Sequence, residues 1–228
     1  MADAAIEINK IGTETLLVPI TGTAPLIVHR FSEKAKRQML DAMQGRKSPK
    51  EAKNPQAEYE AAFYRLADGG NGFPALAFKA ATVGGARFYS GVTMTALKQF
   101  MFFRGELGGD GRALVRIEGD PELREDVVTV GRNGTDLRYR PQFIPWRAVL
   151  RVTYVMSVLT QGSVISLINA GGMGVGVGEW RPEKDGDFGT YQVDPDRDIE
   201  IEKDASAVAK PKAARAPKAT KARELVSA

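Results

Sequence analysis

The chain has 228 residues, of which 26% are charged, and a net charge of +4; this length suits one domain with an elaboration. It contains no cysteine and a single histidine, His29, which excludes disulfides, thiolate zinc sites, cysteine nucleophiles and any metal cluster built from several histidines. No apolar run approaches the roughly 20 residues needed to cross a bilayer, and the first ten residues do not resemble a signal peptide. We therefore expect a soluble cytoplasmic protein without a metal or a cofactor.

Residue patterning predicts alternating strands and helices. Residues 14–20 are β-branched and apolar, which is typical of a strand. Ser32 and Asn54 precede helical patterns as N-caps, and Pro55 fits a first helical turn. The further expected elements are, in chain order, a helix over 77–89, a helix or strand over 97–103, strands over 114–117 and 126–130, a helix from Thr160 through Ala170 and a strand over 188–193.

The apolar positions of three helices indicate what each should pack against. The helix after Ser32 repeats Met39 and Met43 on one face, and the helix after Asn54 has an apolar stripe that runs to Leu66. The helix over 77–89 has a face of small residues that includes Gly84 and Gly85. Because a glycine inside a helix costs about 1 kcal/mol relative to alanine, we expect close packing against a sheet to offset that cost.

Arginines alternate along two segments that are expected to form a hairpin, residues 136–140 and 147–156, with Pro141 and Pro145 between the arms. If the arms pair, strand alternation places four guanidinium groups on one side of the sheet, those of Arg138, Arg140, Arg147 and Arg151. The planar guanidinium binds phosphate through two hydrogen bonds and stacks on bases. The alternative is an ordinary solvated sheet face balanced by nearby acidic residues.

A glycine-rich stretch, Gly171-Gly-Met-Gly-Val-Gly-Val-Gly178, follows the last predicted helix. No Gly-Lys-Ser/Thr follows it, so it is not a Walker loop. A backbone without Cβ atoms can approach a sugar-phosphate chain closely, which makes this stretch a candidate nucleic-acid contact. The alternatives are a flexible connector or close packing between the loop and a helix.

His29 follows a short apolar stretch and precedes Arg30. Its ordinary pKa near neutrality suits a general base that deprotonates a ribose 2′-hydroxyl, although a lone histidine is more often structural or in contact with a phosphate. No Asp/Glu pair has the spacing of an acid-base couple, and no serine has nucleophile-elbow context. We therefore expect a protein that is not an enzyme, with metal-independent RNA cleavage by His29 as the alternative.

The positive charge is concentrated at the C-terminus. Residues 205–228 carry six Lys or Arg side chains against Glu224 alone, which leaves the rest of the chain close to neutral. Lysines spaced by alanine and proline cannot build a core, so we expect a body over residues 1–197 and a disordered tail over residues 198–228. Such a tail either keeps the protein soluble or adds affinity for a polyanion without choosing a sequence.

Two segments about 100 residues apart resemble motifs of the repeat-associated mysterious protein (RAMP) superfamily. Residues 72–87, Gly-Phe-Pro-Ala-Leu-Ala-Phe-Lys-Ala-Ala-Thr-Val-Gly-Gly-Ala-Arg, resemble that family's Gly-Ser-Ser-Leu-Lys-Gly-x-x-Arg helix start. Residues 167–191 are similar to its C-terminal helix, glycine-rich loop and final strand. The likeness is greatest to the backbone subunits of CRISPR effector complexes, and the compact chain also resembles phage-encoded proteins.

The resemblance implies an α+β, modified ferredoxin-like (RRM-like) fold, with an antiparallel sheet, helices on one face, and insertions. It also implies a single strand of RNA or DNA lying across the fold and copies that assemble head to tail into a filament. An alternative is a phage structural or regulatory protein that uses the fold for protein contacts. The residues expected to contact nucleic acid are His29, Arg30, Lys79, Arg87, Arg138, Arg140, Arg147, Arg151, Gly172, Gly174, Gly176, Gly178, Trp180 and Arg181.

Overall fold

A computed structural model describes residues 10–46, 52–130 and 134–202. The expected tail beyond Glu202 lies outside the described residues. The helices are α1 Glu33–Met43, α2 Pro55–Ala61, α3 Ala75–Gly84, α4 Met94–Phe100 and α5 Gln161–Gly174, with 3-10 turns at Gly85–Phe88 and Pro182–Lys184. The strands are β1 Thr13–Gly22, β2 Leu26–Ile27, β3 Tyr64–Arg65, β4 Asn71–Pro74, β5 Met101–Arg104, β6 Glu106–Leu107, β7 Ala113–Glu118, β8 Pro121–Val130, β9 Gly134–Phe143, β10 Arg147–Val155, β11 Tyr191–Val193 and β12 Glu200–Glu202.

Four strands of the large antiparallel sheet lie side by side in the order β11, β1, β10, β5. Helix α3 connects β1 to β5, and α5 connects β10 to β11, so the chain follows a strand-helix-strand-strand-helix-strand path. Numbered in chain order, the four strands stand in the ferredoxin-like order 4-1-3-2. The α+β fold predicted from the sequence is confirmed, and its insertions are β2 through β4 and β6 through β9.

The core lies on the sheet face that carries α3 and α5. β1 and β10 pair over nine positions, from Thr13 opposite Val155 to Thr21 opposite Arg147. Because side chains alternate along a strand, Leu16, Val18 and Ile20 of β1 share one face and are each 0% exposed. They join side chains of β10, α3 and α5 in a single apolar cluster.

Helices α3 and α5 touch through glycine backbone. A Cβ added at Gly171 would lie 2.3 Å from the carbonyl oxygen of Ala81, and one added at Gly85 would lie 2.7 Å from the amide nitrogen of Gly171. The small-residue face was expected to pack against a sheet, but its partner is a helix. Glycines on both sides let the two backbones approach more closely than side chains allow, which explains glycines inside helices.

The predicted hairpin between residues 136–140 and 147–156 is wrong. β9 pairs with β8 over ten positions and with β2 at its other edge, so it belongs to a separate three-stranded sheet, whereas β10 joins the central sheet. The register of β8 and β9 places Asp126 directly opposite Arg138. Opposite charges across strands favour this pairing.

Other local predictions are confirmed or revised at the ends of elements. The Ser32 hydroxyl accepts from Ala35 N at 3.2 Å and the Asn54 side chain from Ala57 N at 3.1 Å, so both caps are confirmed. α2 ends at Ala61, and β3 follows, so the apolar stripe to Leu66 spans a helix and a strand. Residues 97–103 divide between α4 and β5. β12 lies within the expected tail and pairs with β1, so the ordered body extends past residue 197.

Helix α1 departs most from its expected packing. None of its residues is buried, and Met39 and Met43 are 50% and 79% exposed, so the stripe does not face the core.

None of the helices in the described ranges has the length and apolarity that a membrane crossing requires.

Substituting Gly171 tests the contact between α3 and α5. Gly171→Ala drives a methyl group against the backbone of α3, and we expect the free energy of unfolding to fall by about 1–3 kcal/mol. Gly162→Ala is the matched control in the same helix, because its Cβ would meet nothing closer than the Thr160 hydroxyl at 4.0 Å. That variant should gain up to about 1 kcal/mol. Urea denaturation measures both, and equal shifts would contradict the packing described.

Candidate nucleic-acid interface

A cleft of about 210 Å³ opens where α3, the segment after β2 and the glycine-rich segment meet. Three small side chains of α3, those of Ala77, Ala80 and Ala81, form one wall, and residues 175–178 form the other. Tyr64 and Phe73 complete the apolar lining. The cleft is therefore narrow, with backbone and methyl groups at its sides.

The glycine-rich stretch divides between a helix and this wall. Gly176 and Gly178 have φ values of +68° and +81°, which glycine adopts at no steric cost, and both line the cleft. Gly172 and Gly174 lie inside α5, where added Cβ atoms would meet the Tyr191 carbonyl at 2.1 Å and the Phe88 ring at 2.2 Å. Gly172 is buried, so its backbone is not open to a strand, whereas Gly174 is half-buried, as Gly178 is; the missing side chains of Gly172 and Gly174 serve packing.

A chain of charged side chains connects the three-stranded sheet to the cleft. Arg140 of β9 is 1% exposed and pairs with the buried carboxylate of Asp126 on β8. Its other terminal nitrogen lies 3.5 Å from a carboxylate oxygen of Glu179, and the second oxygen of Glu179 lies 3.8 Å from Nδ1 of His29. Arg140 thus supports the cleft wall from inside the protein, and its side chain is too buried to contact a phosphate.

His29 lines the cleft, and its side chain is 29% exposed. Burial lowers its pKa below the ordinary 6.5, and the nearby guanidinium groups of Arg138 and Arg140 lower it further, although Glu179 acts in the opposite direction. The neutral imidazole is therefore the dominant form at neutral pH. Arg30 follows it in the chain and lies 3.8 Å from Glu33.

One arginine lines the cleft and two lie near residues that line it, and each has an acidic residue within 4 Å. Arg181 lines the cleft, donates to the Gly178 carbonyl at 3.2 Å and pairs with Glu183 at 2.9 Å. Arg87, whose side chain is 57% exposed, lies 3.8 Å from the same Glu183. Arg138 is partly exposed and lies close enough to His29 to lower its pKa.

Three predicted contacts lie elsewhere. Arg147 and Arg151 are on the sheet face opposite the helices, where Arg147 lies 3.6 Å from Asp194 and Arg151 forms a bidentate pair with Glu202. The predicted cluster of four arginines is therefore wrong, since β9 and β10 belong to different sheets. Lys79 donates to the Lys98 carbonyl at 2.8 Å, on the side of α3 away from the cleft.

Sequence reasoning missed the acidic residues that organise the cleft, Asp126, Glu179 and Glu183. Glu179 directly follows the last glycine of the stretch, and Asp126 stands two residues after Arg124 on a strand of alternating charge. The role of these two acidic residues could be recognised from the sequence once β8 is known to pair with β9.

Among the described residues, no group of three or more His, Asp or Glu side chains is arranged to hold a metal ion.

No protein family and no curated protein matches this chain.

Replacing Arg140 tests the buried charge chain. Arg140→Leu leaves Asp126 buried with, among the described residues, Arg124 as its remaining ionic partner, 2.8 Å away. We expect a loss of about 3 kcal/mol in the free energy of unfolding, the lower end of the range for breaking a buried pair. Arg138→Leu, the same change two residues away at a partly exposed site, should stay within about 0.5 kcal/mol. Similar losses from both variants in chemical denaturation would refute the assignment.

Proposed function

We propose that this protein binds single-stranded nucleic acid, RNA or DNA, in the cleft between α3 and the glycine-rich segment, and that it does so without catalysis. One observation carries the proposal: the two segments that resemble the RAMP superfamily, about 100 residues apart, meet at this cleft. One contributes Ala77, Ala80 and Ala81, and the other contributes residues 175–178. The ferredoxin-like strand order supports the same relationship.

The shape and charge of the cleft suit a phosphate chain. Methyl groups and glycine backbone form walls that a sugar-phosphate chain can approach closely. Arg181 lines the cleft, Arg87 lies 3.8 Å from the lining residue Glu183, and Arg138 is close enough to His29 to affect its pKa. Guanidinium groups bind phosphate through paired hydrogen bonds. If these three contact phosphates of a single strand, they contribute about −2 to the slope of log K against log salt.

Acidic side chains moderate the expected affinity. Glu183 pairs with Arg181 and lies near Arg87, so a phosphate must displace this carboxylate before it gains either guanidinium. Binding should therefore be salt-sensitive and moderate in strength at the cleft itself. The basic residues of 205–228 would add affinity that does not depend on the cleft.

The proposal includes assembly of several copies along one strand. Helix α1 exposes Met39, Leu40 and Met43 by 50%, 53% and 79%, and contiguous exposed apolar side chains are typical of interaction surfaces. Light scattering with and without an oligonucleotide tests this. Assembly that requires the strand supports a filament, whereas stable assembly of the protein alone favours a structural role based on protein contacts.

Glu183→Gln offers the sharpest test of the cleft. Removing this carboxylate frees Arg181 and Arg87, so the affinity for a fluorescent single-stranded oligonucleotide should rise about two- to fivefold, the worth of an exposed ion pair. Arg181→Gln should weaken binding. Glu118→Gln makes the same charge change beside Arg197, in a different ion pair, and should leave the affinity unchanged. Undetectable binding by the wild type at low salt in fluorescence anisotropy ends the proposal.

A second candidate is metal-independent RNA cleavage, which the position of His29 favours. His29 lines the cleft with Glu179 at 3.8 Å from Nδ1, an arrangement that suits a general base oriented by a carboxylate. Because its pKa lies below 6.5, the cleavage rate should rise with pH through the mildly acidic range and reach its plateau below neutrality. Incubating labelled RNA in EDTA with the wild type or with His29→Ala tests this candidate by measuring cleavage. If the wild type leaves the RNA intact, the candidate is eliminated.

A further inference from the structure

Residues 178–189, here called the Trp180 loop, hold an aromatic side chain beside the cleft in a strained backbone. Trp180 has a φ of +50°, a left-handed conformation that bulky residues rarely adopt and that concentrates at functional sites. The amide of Phe188 donates to the Trp180 carbonyl at 3.0 Å. A Cβ at Gly186 would lie 1.9 Å from that same carbonyl oxygen, so the loop closes around Trp180 only with glycine there.

Two guanidinium groups fix the indole in place. Arg124 and Arg140 are direct cross-strand partners on β8 and β9, and the carboxylate of Asp126 bridges them. Their guanidinium carbons lie 5.4 Å and 5.1 Å from the Trp180 ring centroid, and that of Arg124 lies 5.0 Å from the Phe188 centroid. Cation–π attraction therefore holds the two aromatic rings against guanidinium groups that are themselves ion-paired with Asp126.

The position of Trp180 differs from that of a core tryptophan. Both neighbours in the chain, Glu179 and Arg181, line the cleft, and Trp180 and Phe188 each remain partly exposed. Trp146, the other tryptophan, is 1% exposed and donates its ring N–H to the Ala24 carbonyl at 2.8 Å. A ring held rigidly with part of its surface in water is preorganised to receive a flat ligand, because no side-chain freedom is lost on binding.

We propose that Trp180, backed by Phe188 and Arg124, is a stacking position for one unpaired base of the strand bound in the cleft. The inference rests on the proposed function and deepens it, because it names the part of the ligand that the cleft itself does not contact. Every base presents a π-face, so stacking tolerates any sequence. It requires a base that has left its helix, so the site should favour single strands over duplex.

A pair of polymers with equal charge tests this role. The wild type should bind an oligothymidine about 5- to 150-fold more tightly than an abasic phosphodiester chain of the same length, the range for one stacked base. Trp180→Gly, which suits the positive φ, should bind both polymers with the affinity that the wild type has for the abasic chain. Phe102→Ala, which removes a 39% exposed ring that faces Lys79, should keep the full preference.

The outcomes separate the two proposals. A Trp180→Gly protein that keeps the preference for bases overturns the stacking role while leaving the cleft in place. A wild type that binds neither polymer at low salt overturns the proposed function and the stacking role together. Fluorescence gives an answer even if Trp180→Gly fails to fold: the chain has two tryptophans, so oligothymidine should quench the wild type and leave Trp180→Phe unchanged. Equal quenching of both proteins contradicts stacking on Trp180.

Discussion

The architecture depends on the contact between the backbones of α3 and α5. Gly171 of α5 and Gly85, in the 3-10 turn that follows α3, let the two helices approach until Cβ atoms would collide with backbone. Val175, the first residue after α5, then lies against Gly84, where an added Cβ would be 2.8 Å away. From that anchored point the chain turns through Gly176 and Gly178 to form one wall of the cleft. The same contact therefore positions the core and the candidate site.

Electrostatics at the cleft are nearly balanced within the protein itself. Arg140 is neutralised by Asp126 and Glu179, while Arg181 and Arg87 share Glu183. A phosphate chain would gain only the difference between its own pairing with a guanidinium and the carboxylate pairing that it replaces. If the protein binds nucleic acid as proposed, charge alone would give moderate, salt-sensitive binding, and discrimination between nucleic acid and other polyanions would have to come from a contact with the bases. The proposed stacking position at Trp180 would meet that need.

Sequence patterns predicted local structure well and long-range pairing poorly. The predicted helix caps at Ser32 and Asn54 depend on local hydrogen bonds and are confirmed. The family resemblance implied the ferredoxin-like fold, and the strand order 4-1-3-2 is seen only in the structure, because periodicity does not say which strands are neighbours. The hairpin prediction is wrong because it places the turn at Pro141 and Pro145, although Asn133-Gly134 is the stronger hairpin signal in the sequence. The four-arginine cluster failed with it.

The glycine-rich stretch shows why a composition signal could not locate the site by itself. Gly171 and Gly172 recur in a helix because neighbouring backbone leaves no room for side chains, whereas Gly176 and Gly178 recur because the chain must turn with positive φ. Both needs select the same residue, so the sequence alone does not separate them. What separates them is the partner: the first pair faces α3 and β11, and the second faces β2 and the cleft. Gly176 is itself buried and Gly178 half-buried, so the second half of the stretch contributes backbone to the cleft wall, and the strained Trp180 lies two residues after Gly178.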